Sequence, residues 1–418
     1  MTSFLPTLLG IVLLLGIGAT GRSAGQGPSP AMELARRNAS AQADLLALGA
    51  ITALAERQDP ATGSWGVSPG RPVLPAVTGL ALTGLLMDPG VSAADPIAAK
   101  AIDFILSHQQ PDGGIYDRIL PSYNTAICVS ALALARDGSS PRAAEIDAAI
   151  ARAVPFLRGL QWGEDAVPDP ALGDIVASVG PEHPFYGGVG YGRSGRPDNS
   201  NLNLWLQALH DAGVPGDDPA VQRALAFLER TQMLDEVNDM DYAEGSQQGG
   251  FIYATSPSGD RLGVGESKAG TVDEVDDDGN VVSRLRAYGS MTYAGFKSLA
   301  FADLDADDPR TRAARRWIEA NYTMDENPGL GSDGQYYYYM IVGRAMSAWD
   351  EPRLTDRSRG LELERRWDVD LVNTLTLLQE PGGLFRVIDD RWMESDPMLI
   401  TSYALIGVQA ARRSLQTP

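Results

Sequence analysis

The carboxylates are the residues of this sequence best suited to chemistry. Asp198 stands in "RPDNSN" and Asp396 in "ESDPMLITS", each just ahead of an apolar stretch. Two carboxylates facing one cavity within about 10 Å could divide the acid and base roles of saccharide hydrolysis. Asn199 and Asn201, beside Asp198, suit a plain hydrogen-bonding site equally well. "DEVDDDGN" at 273–280 concentrates acid as a cation loop would, but it lacks the ordered spacing and closing Glu of an EF-hand. It reads as an acidic β-hairpin with Asp-Gly at its tip.

Metal and nucleophile chemistry find less support. The histidines are His108, His183 and His210, and none falls near the single cysteine, Cys128, in the repeat pattern below. We therefore expect no metal and no other cofactor, and read the histidines as surface or structural. One cysteine excludes an intramolecular disulfide, and its context "NTAICVSALALA" reads as a buried small hydrophobe. No Gly-rich phosphate loop or serine-nucleophile elbow occurs.

The elements that must position these groups repeat along the chain. "QDPATGSWG" opens at Gln58, "QQPDGGIY" at Gln109 and "QEPGGLF" at Gln379. Gln161 and Gln232 open copies split by insertions at 163–186 and 233–287, which end in "FYGGVGYG" and "QQGGFIYA". Asn321 opens a drifted sixth copy. The first intervals are nearly equal, at roughly 50 residues, the spacing of a repeat architecture. Asp95-Pro96, Ser140-Pro141, Asp218-Pro219 and Asp308-Pro309 each read as an N-cap followed by proline in the first helical turn. A helix rich in small apolar residues follows each Gly-aromatic turn, as expected of a buried layer. The expectation is an all-α chain of six outer/inner helix pairs closing on themselves as an α/α toroid.

The units resemble the Q-x-x-D-G-x-W repeat of terpenoid cyclases and of prenyltransferase/squalene oxidase repeat proteins. The residues that carry the resemblance are Gln58, Trp65, Gln109, Asp112, Gly113, Tyr116, Gln379, Gly383 and Phe385, with Tyr116 standing for the aromatic of its copy. The resemblance implies a terpenoid cyclase/protein prenyltransferase-like barrel over 41–416, in which these residues brace helices. It does not extend to the catalytic signatures. The D-x-D-D of the cyclases is matched in letters by Asp305 to Asp308, but those residues precede Pro309 and read as a capping loop. The zinc set of the protein prenyltransferases has no counterpart.

A net charge of −20 opposes binding to nucleic acid. The apolar run within residues 1–25 resembles a signal peptide, followed by a linker at 26–40. Its run of about a dozen residues is short for a membrane span. The expectation is a secreted or periplasmic monomer with no stable span in the mature chain. An uncleaved N-terminal anchor is the alternative.

In a closed toroid the inner-helix N-termini rim one mouth. The candidate cavity residues there are Tyr123, Asn124, Asp198, Asn201, Tyr288, Thr292, Tyr293, Tyr337, Glu394 and Tyr403, with Asp198 and Asp396 as candidate catalytic groups. In the run Tyr336–Tyr339, about two rings are expected to face the cavity. The first functional reading is a protein that binds a small-molecule or lipid ligand in the central cavity, without cyclase or zinc-transferase chemistry. The alternatives are a divergent terpenoid-cyclase-like or carbohydrate-active enzyme using cavity carboxylates, and a scaffold that docks an exported protein.

Overall fold

The computed structural model of the protein describes residues 30–66, 72–136, 142–164, 178–192, 195–256, 263–276 and 278–417. The expected signal peptide lies outside them. The fold is mostly helical, and the helices alternate in character.

The odd-numbered helices are α1 (Pro30–Arg57), α3 (Pro96–Ser107), α5 (Ala143–Gly159), α7 (Pro219–Thr231), α9 (Pro309–Ala320) and α11 (Trp367–Leu378). The even-numbered ones are α2 (Pro75–Leu86), α4 (Pro121–Ala135), α6 (Asn199–Asp211), α8 (Gly289–Phe301), α10 (Gln335–Ala348) and α12 (Pro397–Leu415). Every residue of α2 except Leu86 is buried, whereas α7 buries only one side. A helix apolar all round must be surrounded, and a one-sided helix must face solvent. Contacts follow that division: α2 packs on α4, α4 on α6, α6 on α8, α8 on α10, α10 on α12, and α12 back on α2. Small residues allow this closeness, as where Gly343 of α10 meets Gly407 and Ala410 of α12.

The repeated glutamine explains how the outer helices are spaced. The Nε2 of Gln109 donates to Gly113 O in its own turn at 3.0 Å and to Ala149 O of the next outer helix at 2.9 Å. Gln58 joins Gly63 O to Ile97 O, Gln161 joins Gly187 O to Ala220 O, and Gln232 joins Gly249 O to Arg310 O. Gln379 joins Gly383 O to Leu46 O, which returns the end of the chain to its first helix. Two of the turns show why glycine is needed. Gly113 and Gly383 have φ of +94° and +82°, and a Cβ on either would collide with the carbonyl of the neighbouring outer helix, Arg152 O or Gly49 O. Two residues beyond each glycine, the amides of Trp65, Ile115, Phe251 and Phe385 donate to Thr78, Thr125, Thr292 and Thr401 of the inner helices.

Several expectations need correction. In the second copy the buried position belongs to Ile115. Tyr116 lies one residue further on, stacked on Phe156 at 5.8 Å and donating to Asp112 at 2.6 Å. The sixth anchor does not bridge: Asn321 Nδ2 donates to Trp317 O of its own helix. A hairpin of β3 (Arg353–Asp356) and β4 (Leu363–Arg366) fills that joint, with Arg357 N donating to Glu319 O. The expected linker is helical from Pro30, because Ala39, Ala43 and Leu46 are buried and Arg36 donates to Leu415 O. Asp218 and Asp308 cap their helices as expected, but Asp95 turns its carboxylate to Ser92 instead. Ser140 and Pro141 lie outside the described residues. A second hairpin, β1 (Thr271–Val275) with β2 (Val281–Leu285), carries the acidic turn at its tip. Among the described residues no helix is long and apolar enough to cross a membrane.

Gln379→Ala strips two main-chain carbonyls of their donor, and a loss of about 1–3 kcal/mol is expected in urea unfolding. Gly383→Ala should cost more, since it adds backbone strain to a collision with Gly49 O.

Candidate functional site

A cavity of about 290 Å³ lies where the N-terminal ends of the even-numbered helices converge. Its apolar wall comes from Leu74 and Val77 of α2 and its approach, Leu120 before α4, Met291 of α8, and Leu399 of α12. Six tyrosines complete it: Tyr123, Tyr191, Tyr253, Tyr288, Tyr337 and Tyr403. Ser200 and Ser290 add hydroxyls, and Glu394 is the carboxylate of the lining. Trp392 and Met393 stand at the rim, 45% and 48% exposed.

The tyrosines hold one another. The hydroxyls of Tyr123 and Tyr403 lie 3.4 Å apart, and the Tyr337 and Tyr403 rings meet edge to face at 5.9 Å. The Tyr337 hydroxyl is 3.2 Å from Ser200 Oγ and accepts from Asn203 Nδ2 at 3.5 Å. Burial pushes all six phenols above their ordinary range, so they stay neutral and can donate hydrogen bonds to a ligand.

Glu394 is 1% exposed and accepts from the Tyr336 and Tyr337 amides, at 3.0 and 2.8 Å, at the start of α10. Burial pushes its carboxyl up to about 7 against the pull of those amides. It can therefore hold or release a proton near neutrality. Trp392 and Met393, immediately before it, have φ of 54° and 69°, a left-handed conformation costly for side chains with a Cβ. The Arg391 guanidinium lies 4.4 Å over the Trp392 ring and pairs with Asp333.

The structure does not bring the two candidate catalytic carboxylates to this cavity. Asp198 is the N-cap of α6, accepting from Asn201 N and Nδ2 at 2.9 and 2.8 Å. Burial pushes it to about 6, with the Asn201 amides and the Tyr253 hydroxyl opposing. Asp396 caps α12 through Met398 N and Leu399 N. Neither lines the cavity, and helix capping occupies both. Asn124, Asn201, Thr292 and Tyr293 are also absent from the lining. Asn124 binds Ala76 N and the carbonyls of Ile119 and Leu120, Thr292 holds the Phe251 amide, and Tyr293 packs edge to face on Tyr338 at 5.6 Å. Of the four-tyrosine run, only Tyr337 reaches the cavity; Tyr336, Tyr338 and Tyr339 are buried elsewhere and donate to main-chain carbonyls.

Tyr123, Tyr288, Tyr337, Glu394 and Tyr403 do meet there. Tyr191, Tyr253, Ser200, Trp392 and Met393 escaped sequence reasoning. Tyr191 and Tyr253 each stand three residues past a Gly-Gly pair, in "FYGGVGYG" and "QQGGFIYA", a signal that could have found them. Trp392 and Met393 had none.

The other candidates have structural partners. His108 lies 4.4 Å from Phe104, His183 stacks on Trp162 at 5.7 Å, and His210 stacks on Phe301 at 4.2 Å. Cys128 is buried and its thiol is pushed up by that burial. Asp305 accepts from the Asp307 and Asp308 amides, and Asp308 caps α9.

No family model matches the chain, and no curated protein matches it. Solved structures do. A polysaccharide lyase aligns with a TM-score of 0.50 at 10% identity over 90% of this chain and 99% of its own. D-mannose isomerase aligns with a TM-score of 0.50 at 13% identity over 90% and 98%. The type II terpene cyclase MstE from Scytonema aligns at 0.48, with 13% identity over 90% and 99%. At this identity the likeness concerns the fold alone, and the class it defines is that of α/α-toroid folds.

Glu394 and Asp198 have folded-state values raised above those of the unfolded chain, so each stabilises most below its unfolded value, 4.5 or 3.8, and loses that contribution as pH rises through about 7 or about 6. Their contribution to wild-type stability should therefore fall between about pH 4 and 7, by a few kcal/mol as an order of magnitude. Glu394→Gln should flatten the upper part of that fall, as read from urea midpoints across the range.

Proposed function

We propose that the protein is an exported α/α toroid of six outer/inner helix pairs that binds a small, largely apolar, uncharged ligand in its tyrosine-lined cavity, and acts as a monomer without D-x-D-D or zinc chemistry. The observation that carries this reading is the lining itself: six neutral phenols and a wall of Leu, Val and Met around about 290 Å³, with one carboxylate. Such a surface rewards an apolar body and offers hydroxyl donors to a few ligand oxygens. The volume is close to the lower end of ordinary ligand pockets, roughly 300–1,000 Å³. The cyclic contact order of the even-numbered helices and the return of Gln379 to Leu46 support the six-pair ring.

Solvent extraction of protein purified after native export, followed by mass spectrometry, is expected to yield one apolar small molecule near stoichiometry. Met291→Trp, which fills the cavity from α8, should abolish it while the protein still unfolds cooperatively. An empty extract, together with intrinsic tryptophan fluorescence that no isoprenoid, sterol or aromatic alcohol perturbs, would sink the proposal.

A second reading, a divergent enzyme using a cavity carboxylate, is favoured by Glu394, whose protonation changes near neutrality at the cavity wall. Under it, Glu394→Gln should lose turnover of the extracted ligand by about 10²–10⁴-fold and keep its binding.

A further inference from the structure

Most of the cavity wall stands on inner helices or at their starts, but Trp392 and Met393 stand on a strap of chain between Phe385 and α12. Both adopt left-handed backbone, with φ of 54° and 69°. Strain of this kind persists only where surrounding contacts outweigh it. Main-chain bonds do not supply those contacts. Among the described residues, no main-chain group of 387–393 bonds to another element; Glu394 N donates to Arg391 O, and Asp396 N to Met393 O.

Side chains hold the strap instead, and their partners lie together at the start of α10. Arg391 pairs with Asp333 and lies 4.4 Å over the Trp392 ring. That ring packs on Gly334, where an added Cβ would stand 2.8 Å from it. The Glu394 carboxylate accepts from the Tyr336 and Tyr337 amides. The two fastenings differ in strength. Glu394 is buried, so water does not compete for its bonds. The Arg391–Asp333 pair is partly exposed, and ion pairs open to water hold weakly. Release at Arg391 would free Trp392 and Met393 from both the mouth and the left-handed region.

We propose that residues 387–393 are a gate to the cavity, hinged at Glu394 and latched by Arg391 on Asp333, and that ligand passes beneath Trp392 and Met393. The inference rests on the reading of the cavity as a ligand site. Neither Arg391 nor Asp333 lines the cavity, so the latch sets how fast ligand exchanges and leaves the choice of ligand to the wall.

The first test is access of N-ethylmaleimide to a thiol inside the cavity of the full chain. Ser290 lines the cavity, and Ser290→Cys puts the thiol there; Cys128 is buried and absent from the lining, so the parent chain gives the background. Adding Arg391→Ala is expected to speed labelling about five- to tenfold, since it removes the ion pair and the cation over Trp392. Loss of a nearby cation by itself would slow a thiolate, so a faster rate reports access. The urea midpoint should stay where it was. If Ser290→Cys does not fold, Ser200→Cys offers a second position on the wall. Labelling that Arg391→Ala leaves unchanged, or that rises only in step with a lowered urea midpoint, would overturn the gate.

The second test uses N-phenylnaphthylamine, an uncharged fluorescent probe. Its association and dissociation should quicken by one common factor in Arg391→Ala, at unchanged affinity. A probe that binds at rates the variant does not alter would overturn the gate and spare the ligand reading. Faster labelling of a cavity that takes up no probe would support the gate and count against the ligand reading.

Discussion

The Nε2 group of a glutamine at the end of an outer helix has two hydrogens, and each goes to a main-chain carbonyl. One carbonyl belongs to the glutamine's own glycine turn and the other to the next outer helix. Because both bonds start from one atom, turn and neighbour are held at a set separation. The glycine's positive φ and lack of a Cβ let them approach that closely. Five joints of this kind, the last returning to Leu46, arrange the outer helices around the inner ones. The sixth interval, where Asn321 binds only its own helix, is bridged by the β3–β4 hairpin.

The inner helices follow from that spacing. Their small residues bring backbones close, so their N-terminal ends converge on one mouth and their C-terminal ends on the other. Large residues then decide what each end becomes. At the N-terminal mouth tyrosines of α4, α10 and α12 and Tyr288 just before α8, joined by Tyr191 and Tyr253, stand around an apolar space. At the opposite end Gln207, Lys297 and Arg344 crowd the interior and leave a void of only about 10 Å³. The same burial acts on both ends. It raises the phenols and Glu394 at the first and lowers Lys297 at the second, because a low-dielectric surrounding disfavours whichever form is charged.

Capping explains why the carboxylates most conspicuous in the sequence are not in the cavity. An Asp just ahead of an inner helix has the length to reach back to the first free amides, and Asp198 and Asp396 both do so. Glu394 also serves helix amides, but those of a different helix. It comes from the loop before α12 and reaches the start of α10, which carries its carboxyl across the mouth and against the cavity. Local sequence spacing foretells the first kind of contact and is silent on the second.

The repeats at Gln58, Gln109, Gln161, Gln232 and Gln379, the glycine turns and the alternation of one-sided with all-round apolar helices were all legible in the sequence. Each is a local property: a side chain meeting its own turn, or a period of 3.6 residues. The Asp305–Asp308 cap and the hairpin under the acidic run were legible for the same reason. The cavity wall was legible in part, since inner-helix starts pointed to Tyr123, Tyr288, Tyr337, Glu394 and Tyr403. Which ring of Tyr336–Tyr339 faces inward, that Tyr253 and Trp392 join the wall, and that Lys297 and Arg344 both feel the charge of Asp211 were decided only by the tertiary structure. Those outcomes depend on the rotation of each helix about its axis and on contacts between residues far apart in sequence, and no local pattern encodes either.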